Sequence, residues 1–314
     1  MISFVIPLFN EEESLKALHG AVSRAVELLP YAYEIIFVDD GSADRSLSIL
    51  QDLYRQDRTH VRVIQFRRNF GKTAALTAGF ARARGDVVVT LDADLQDDPG
   101  ELPKLLAKLE EGYDMVGAWR ANRQDPISKR WPSKFANLTV STLTGVRLHD
   151  VNCGFKVYRR GVVQNLRLYG ELHRYIPVLA HWQGYRVAEV PVTHHPREFG
   201  HSKYGVRRFA RSYIDFLSVL FLTTYLRRPL HLFGMVGSAF AAAGTVIMLY
   251  LAGLWVVQGG IGWRPLLFFG TTALVVGIQL ISVGLLGEML RNITFRAEEE
   301  YSIRQVWDDV EEES

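Results

Sequence analysis

Two long apolar segments near the carboxyl end constrain this chain more than any other feature. They run from about Leu230 to Val257 and from about Leu266 to Leu290, and the first contains no Asp, Glu, Lys or Arg. About 20 apolar residues are enough to cross the hydrocarbon core of a bilayer. A buried hairpin in a globular domain is the alternative, but helices this long and uniformly apolar are rare in a domain of this size. The sequence therefore predicts a transmembrane hairpin over residues 229–291.

Arginines flank the two apolar segments unevenly. Arg227 and Arg228 precede the first, Arg291 and Arg296 follow the second, and the short connection between them carries only Arg264. Because cytoplasmic flanks of membrane helices carry the excess of Lys and Arg, we expect both termini in the cytoplasm and the protein in the inner membrane. Glycines in both spans would permit close helix packing, so homo-oligomerisation through these helices stays open.

The first part of the chain alternates strand-like and helix-like segments. β-Branched runs predict buried strands, and the alternation predicts a doubly wound α/β domain over residues 1–205. One cysteine excludes an intramolecular disulfide, and a net charge of +2 is too small to indicate nucleic-acid binding. The predicted strands are Ile2–Ile6, Ile35–Val38, Val61–Phe66, Val87–Leu91, Met115–Ala118 and Arg186–Val192, with helices after Glu11, Asp44, Gly71 and Pro99 and over Phe135–Leu143.

Between this domain and the apolar hairpin lies an amphipathic segment. Apolar residues recur at helical spacing from Val206 to Tyr225, with polar residues on the other side. We expect residues 206–228 to form an interfacial helix, and a core helix of the soluble amino-terminal domain is the alternative. Residues 292–314 are predicted to be an acidic cytoplasmic tail.

Acidic clusters follow two of the predicted strands. Asp39-Asp40-Gly41-Ser42 follows one, and Asp92-Ala93-Asp94-Leu95-Gln96 follows the other. Ligands of open α/β sheets bind at the carboxyl ends of the strands, so both clusters should border one crevice. Asp92, Asp94 and Gln96 offer oxygen ligands to a cation such as Mg²⁺ or Mn²⁺. Gly71-Lys72-Thr73 is not a P-loop, because Phe66 stands where that motif needs glycine.

Together these motifs resemble a known enzyme family. Val5–Glu12, Val38–Asp44 and Asp92–Gln96 are similar to the nucleotide-sugar half of family-2 glycosyltransferases, which have the GT-A fold. Asn152–Lys156, His173–Pro177 and the two apolar segments resemble the polyprenyl-phosphate branch of that family. The resemblance covers nearly the whole chain.

The resemblance implies roles for individual residues. Asp39 would contact the base or ribose, and Asp92, Asp94 and Gln96 would surround a divalent cation on the diphosphate, with Asp94 essential for catalysis. The other donor-binding residues implied are Pro7, Asn10, Glu11, Asp40 and Ser202.

Basic residues farther along the chain are candidate phosphate ligands. Arg197 and Lys203 lie in a glycine-containing stretch that would close as a lid over the donor phosphates, and a solvated loop touching anionic headgroups is the alternative. Arg120, Arg123 and Arg130 would bind the phosphate of a lipid acceptor, and the sequence does not decide among the three.

The predicted reaction is an inverting, metal-dependent transfer of a hexose onto undecaprenyl phosphate. Glucose from UDP-glucose is the first choice of donor, and GDP-mannose or a UDP-aminoarabinose derivative is the alternative. A phosphate monoester is already mostly ionised near neutral pH, so no strong general base is needed. Asp150 lies where relatives with alcohol acceptors keep a base, but a structural role in a turn is equally open. A catalytically inactive nucleotide-sugar-binding scaffold is the rival from another class, and the intact acidic pairs argue against it.

Overall fold

The computed structural model describes residues 1–27, 29–120, 148–193, 229–260 and 265–294. Two compact units divide the chain, Met1–Val219 and Leu220–Ser314. Their boundary falls in residues 194–228, which lie outside the described part, as does the predicted interfacial helix. The predicted helix Phe135–Leu143 and the acidic tail also lie outside the described residues.

Within the described residues, the amino-terminal unit is built on a mixed sheet of seven strands with the order β3-β2-β1-β4-β6-β5-β7. From β1 the chain first adds β2 and β3 on one side and then adds β4 on the other side. Open α/β sheets bind ligands at such a switch point. All six predicted strands are confirmed, whereas β6, which runs antiparallel to β4 and β5, was not predicted. The strands are β1 (Ile2–Leu8), β2 (Tyr33–Asp39), β3 (Val61–Gln65), β4 (Val87–Thr90), β5 (Met115–Trp119), β6 (Lys156–Arg159) and β7 (Val187–Pro191).

Amphipathic helices cover the sheet and complete its core. In α1 the residues Leu15, Leu18, Val22 and Val26 recur at helical spacing and are all buried. Asp98 accepts a hydrogen bond from the Gly100 amide, 2.8 Å away, and so caps the turn that begins at Pro99. The helices are α1 (Leu15–Glu27), α2 (Ser46–Gln56), α3 (Lys72–Phe80), α4 (Leu102–Glu110), α5 (Arg160–Asn165) and α6 (Ile176–Trp182), with 3₁₀ turns at Pro99–Glu101 and Leu172–Tyr175.

In the described part of the second unit there are two long helices, α7 (Pro229–Gln258) and α8 (Pro265–Thr294), which are long and apolar enough to cross a membrane. Glycines let their backbones approach closely. A Cβ atom on Gly244 would lie 2.7 Å from the Gly270 carbonyl oxygen, and one on Gly277 would lie 2.5 Å from the Ala241 nitrogen. These glycines therefore serve the packing of α7 against α8 within one chain.

Candidate active site

Parallel pairing brings the two acidic clusters to one edge of the sheet. Leu8 of β1 pairs with Asp39 of β2, and Val5 of β1 pairs with Thr90 of β4. The carboxyl ends of the three strands are thus neighbours, so the segments that carry the two acidic clusters start at one edge of the sheet. Because β6 is antiparallel and its Lys156 pairs with Thr90, the segment that precedes β6 lies at the same edge.

The loops that follow β1 and β2 are tied to each other. The Asn10 amide donates to the Ser42 hydroxyl at 2.9 Å, and the Ala43 amide donates to the Asn10 side-chain oxygen at 2.8 Å. Asn10 has a φ of 55°, a left-handed conformation that asparagine tolerates better than most residues. The Glu11 amide donates to the Ser46 hydroxyl at 2.9 Å, so this loop is also fixed to the start of α2.

Asp39 and Asp40 are both buried, and in the described part of the chain Asp39 has one buried oxygen without a hydrogen-bond partner. The Ser42 amide donates to one oxygen of Asp39 at 2.9 Å, and the other oxygen has no hydrogen-bond partner within the described residues. Both oxygens of Asp40 are taken, by the amides of Phe70 at 2.6 Å and Gly71 at 2.8 Å. Asp39 therefore suits a ligand donor, while Asp40 organises the loop that leads into α3.

Asp92 pairs with Lys72, the first residue of α3, which sequence reasoning did not select. The Lys72 ammonium donates to one carboxylate oxygen of Asp92. Burial acts to raise the pKa of Asp92, but the charge and hydrogen bond of Lys72 outweigh it and hold that pKa below its ordinary value. The carboxylate is therefore ionised at neutral pH. Pro7 lines the same small cavity as Lys72 and Asp92.

Asp94 and Gln96 lie in the tight turn that follows. The Gln96 amide donates to Asp94 at 3.3 Å, and Leu95 between them has a φ of 58°. A leucine in the left-handed region is strained by about 1–3 kcal/mol, and such strain is often found at functional sites. The turn keeps Asp94 mostly buried, with 9% of the residue exposed.

The donor set at this edge fits an open site for a hard cation. Carboxylates of Asp92 and Asp94 and the amide of Gln96 are the ligand types that Mg²⁺ and Mn²⁺ accept. Within the described ranges no group of three or more His, Cys, Asp or Glu side chains is arranged to enclose a metal ion. A cation held here would take its remaining ligands from phosphate oxygens and water, as Mg²⁺ usually does.

Arg120 and Asp150 form a largely buried bidentate ion pair. The Nε and Nη2 atoms of Arg120 donate to the two oxygens of Asp150 at 2.6 and 3.0 Å. Burial acts to lower the pKa of Arg120, but Asp150 outweighs it and raises that pKa. The Asp150 amide also donates to Glu189 at 3.3 Å. This geometry favours a structural role for Asp150. It leaves only the remaining guanidinium N–H groups of Arg120 to bind an acceptor phosphate.

Four predicted site residues lie outside the described part of the chain. They are Arg130, Arg197, Ser202 and Lys203, and the alternative arginine Arg123 lies there as well.

His173 and Lys156 are further polar residues near Asp92 that sequence reasoning did not select. Both line the cavity that Asp92 borders. The His173 ring is 2.8 Å from the Thr73 hydroxyl. Burial, followed by the charges of Lys72, Arg174 and Lys156, lowers the pKa of His173 to about 2. The imidazole is therefore neutral at this site.

We expect the lowered pKa of His173 to make the domain sensitive to acid. In the unfolded chain His173 has a pKa of 6.5 and binds a proton below that pH, whereas in the folded protein it stays neutral. The free energy of unfolding therefore falls as the pH decreases. The loss is up to about 1.4 kcal/mol per pH unit. Thermal unfolding midpoints at pH 7 and pH 5 test this. The His173→Gln variant should lose less stability over this interval than the unsubstituted protein, and equal losses would contradict the assignment.

Comparison with known proteins places this architecture in a family. Residues 3–167 match the family model for glycosyl transferase family 2. The dodecaprenyl-phosphate galacturonate synthase of Rhizobium johnstonii is 39% identical over 315 residues, which cover 98% of this chain and 93% of that protein. The undecaprenyl-phosphate 4-deoxy-4-formamido-L-arabinose transferase of Pseudomonas aeruginosa is 40% identical over 293 residues, covering 92% and 85%.

Solved structures agree on the fold. Glucosyl-3-phosphoglycerate synthase from Mycobacterium tuberculosis, in a complex with Mn²⁺, UDP and glucosyl-3-phosphoglycerate, superposes with a TM-score of 0.55 at 19% identity, covering 71% of this chain and 79% of that one. The same enzyme with Mg²⁺ and UDP also gives a TM-score of 0.55. The chain therefore belongs to glycosyltransferase family 2, it has the GT-A fold, and its curated relatives are polyprenyl-phosphate sugar transferases.

Proposed function

We propose that this enzyme transfers a galacturonate or 4-formamido-arabinose unit from its UDP donor to undecaprenyl phosphate. Sugar transfer to a polyprenyl phosphate is supported by membership of glycosyltransferase family 2 together with the names of the relatives that match nearly the whole chain. The choice of sugar rests on two relatives that match nearly the full length of the chain and whose names specify these sugars. Glucose, the first choice from the motifs, has no support among these relatives, and the aminoarabinose alternative fits them better.

Binding of the nucleotide would use the open acceptor at the edge of the sheet. The free oxygen of Asp39 can accept a hydrogen bond from a base N–H or a ribose hydroxyl, which relieves the cost of leaving it unpaired. Pro7, Asn10 and Glu11 would line the pocket on one side, and Asp40 would hold the loop before α3. Asp92, Asp94 and Gln96 would hold Mg²⁺ or Mn²⁺, which supplies positive charge to the diphosphate leaving group.

The reaction itself needs positioning more than proton transfer. An oxygen of the ionised lipid phosphate forms a bond to the anomeric carbon while the bond from that carbon to the diphosphate oxygen breaks. UDP leaves with the electron pair of the broken bond, and the anomeric centre inverts. Because the nucleophile is already an anion, no general base is required. The pairing of Asp150 with Arg120 agrees with this, since it leaves Asp150 no free role as a base.

The remaining predicted residues complete the proposal. The donor phosphates would be covered by Arg197, Ser202 and Lys203. The lipid phosphate would be bound by Arg130 or Arg123 together with the N–H groups of Arg120 that Asp150 does not use. The catalytic domain would occupy residues 1–205 and the interfacial helix residues 206–228. Both would lie on the cytoplasmic face of the inner membrane, with the spans at 229–291 as the anchor.

A donor panel tests the choice of sugar. Purified full-length protein is incubated with undecaprenyl phosphate and, in separate reactions, UDP-galacturonate, UDP-4-formamido-arabinose, UDP-glucose and GDP-mannose, each with Mg²⁺ or with EDTA. We expect EDTA-sensitive lipid product from one of the first two donors. Product from UDP-glucose or GDP-mannose alone would overturn the proposed sugar, and no product from any donor would favour an inactive scaffold.

Replacing Lys72 should weaken donor binding. Its ammonium lies at Asp92, beside the place where the donor diphosphate would meet the acidic edge. Losing one charge-assisted contact of this kind costs about 1.5–3 kcal/mol, so the Lys72→Met variant should show a KM for the donor raised at least about 10-fold. Lys108→Met is the matched control, because Lys108 pairs with Glu111 on the helix surface. An unchanged donor KM in Lys72→Met would contradict the role.

A further inference from the structure

One wall of the Asp92 site is made of backbone. Gly154 lies in the loop before β6, and a Cβ atom placed on it would meet the carboxylate of Asp92 at 2.5–2.7 Å. Real Cβ atoms do not approach other atoms so closely, so only glycine lets Asp92 occupy its present position. The glycine has no positive φ in the structure, and its requirement here is therefore close approach, not backbone conformation.

This wall is fixed from both neighbouring strands. Thr90 of β4 donates through its hydroxyl to the Gly154 carbonyl at 2.8 Å. The Lys156 ammonium at the start of β6 donates to the Cys153 carbonyl. Two consecutive carbonyl groups are thus held by side chains from the sheet, and the loop has little freedom to move away from Asp92.

Lys156 is unusual because a lysine is rarely buried so completely. Only 4% of the residue is exposed, and burial lowers its pKa. The negative charges of Asp92 and Asp150 act to raise the pKa of Lys156, and the positive charge of Lys72 acts to lower it. Burying an ammonium costs free energy unless hydrogen bonds and opposite charges compensate, and here the Cys153 carbonyl accepts one such bond.

We propose that Gly154 and Lys156 are positioning residues that hold the loop of residues 152–155 against Asp92 and thereby set the affinity of the acidic edge for its divalent cation. The inference rests on the proposed metal role of Asp92. Both residues line the small cavity that Asp92 borders. They act by restricting where the Asp92 carboxylate can lie. Residues that orient a metal ligand without binding the metal typically change metal affinity about 10–100-fold when they are lost.

The test measures Mn²⁺ binding to the full-length protein in detergent in the presence of UDP, by the loss of the free Mn²⁺ EPR signal. Gly154→Ala and Lys156→Met are compared with Asp92→Asn and with Gly161→Ala, a control on α5 where an added Cβ meets nothing within 4 Å. We expect Gly154→Ala and Lys156→Met to bind Mn²⁺ at least about 10-fold more weakly than the unsubstituted protein. Gly161→Ala should bind normally.

Activity and stability separate positioning from simple unfolding. In the two positioning variants kcat should recover at high Mn²⁺, and the thermal transition should be retained. The inference would be contradicted if Mn²⁺ binding were weak, kcat did not recover at high Mn²⁺ and the thermal transition were lost. Normal Mn²⁺ binding in both variants, with loss in Asp92→Asn, would overturn the inference alone. Normal binding in Asp92→Asn would overturn the metal role of Asp92 and the inference with it.

Discussion

Replacing Asp94 by asparagine is expected to reduce sugar transfer at least about 100-fold while the protein stays folded and inserted in the membrane. The substitution keeps the shape of the side chain and removes the negative charge that the proposed cation site needs. Asp94 is mostly buried and lies in the strained turn that leads to Gln96. Initial rates with the accepted donor, at several Mg²⁺ concentrations, provide the measurement.

Asp52→Asn is the matched control for this substitution. Asp52 is an exposed carboxylate on α2 that pairs with Arg55 at 2.9 Å, and its loss should leave the rate unchanged. Retention of substantial transfer by Asp94→Asn, at the Mg²⁺ concentration that saturates the unsubstituted enzyme, would refute the metal role of Asp94.

The second large effect concerns stability, through the pair of Arg120 and Asp150. Removing either partner leaves an uncompensated charge in a largely buried position, because only 13% of the Arg120 and 7% of the Asp150 side chain is exposed. Such a loss costs about 3–5 kcal/mol. We therefore expect Arg120→Ala and Asp150→Ala each to lower the thermal unfolding midpoint by roughly 10 °C.

A double-mutant cycle distinguishes this pairing from two independent roles. The double variant should lose clearly less stability than the sum of the single losses, since each single variant already breaks the same interaction. Arg55→Ala, which breaks an exposed pair, should change the midpoint little. If Arg120→Ala instead kept its midpoint and only raised the KM for undecaprenyl phosphate, Arg120 would be chiefly an acceptor ligand.

Much of the fold can be predicted from the sequence because its signals are local. β-Branched runs such as Val87–Leu91 identify buried strands, and the two apolar segments identify the long helices almost to the residue. Short parallel strands also predict that the residues at their carboxyl ends meet, which is why the sequence alone assigns Asp39 and Asp92 to one crevice.

What the sequence did not reveal depends on contacts between distant segments. Lys72 reaches Asp92 because α3 packs against β1 and β2 at the edge where Asp92 lies, and no local pattern marks that proximity. The strand β6 is only four residues long and has a charged residue at each end, so it offers neither a β-branched run nor a clear alternation. Lys156 was overlooked because lysine is normally exposed, and its burial follows from the pairing of β6 with β4.

The most direct test of the central claim is the identity of the two products formed from a labelled UDP-sugar and undecaprenyl phosphate. Attack of the lipid phosphate on the anomeric carbon predicts release of UDP and a lipid that carries one phosphate and one sugar, measured by chromatography and mass spectrometry. Release of UMP with a lipid diphosphate would show attack on phosphorus instead, and would contradict the assignment of this site as a glycosyltransferase centre.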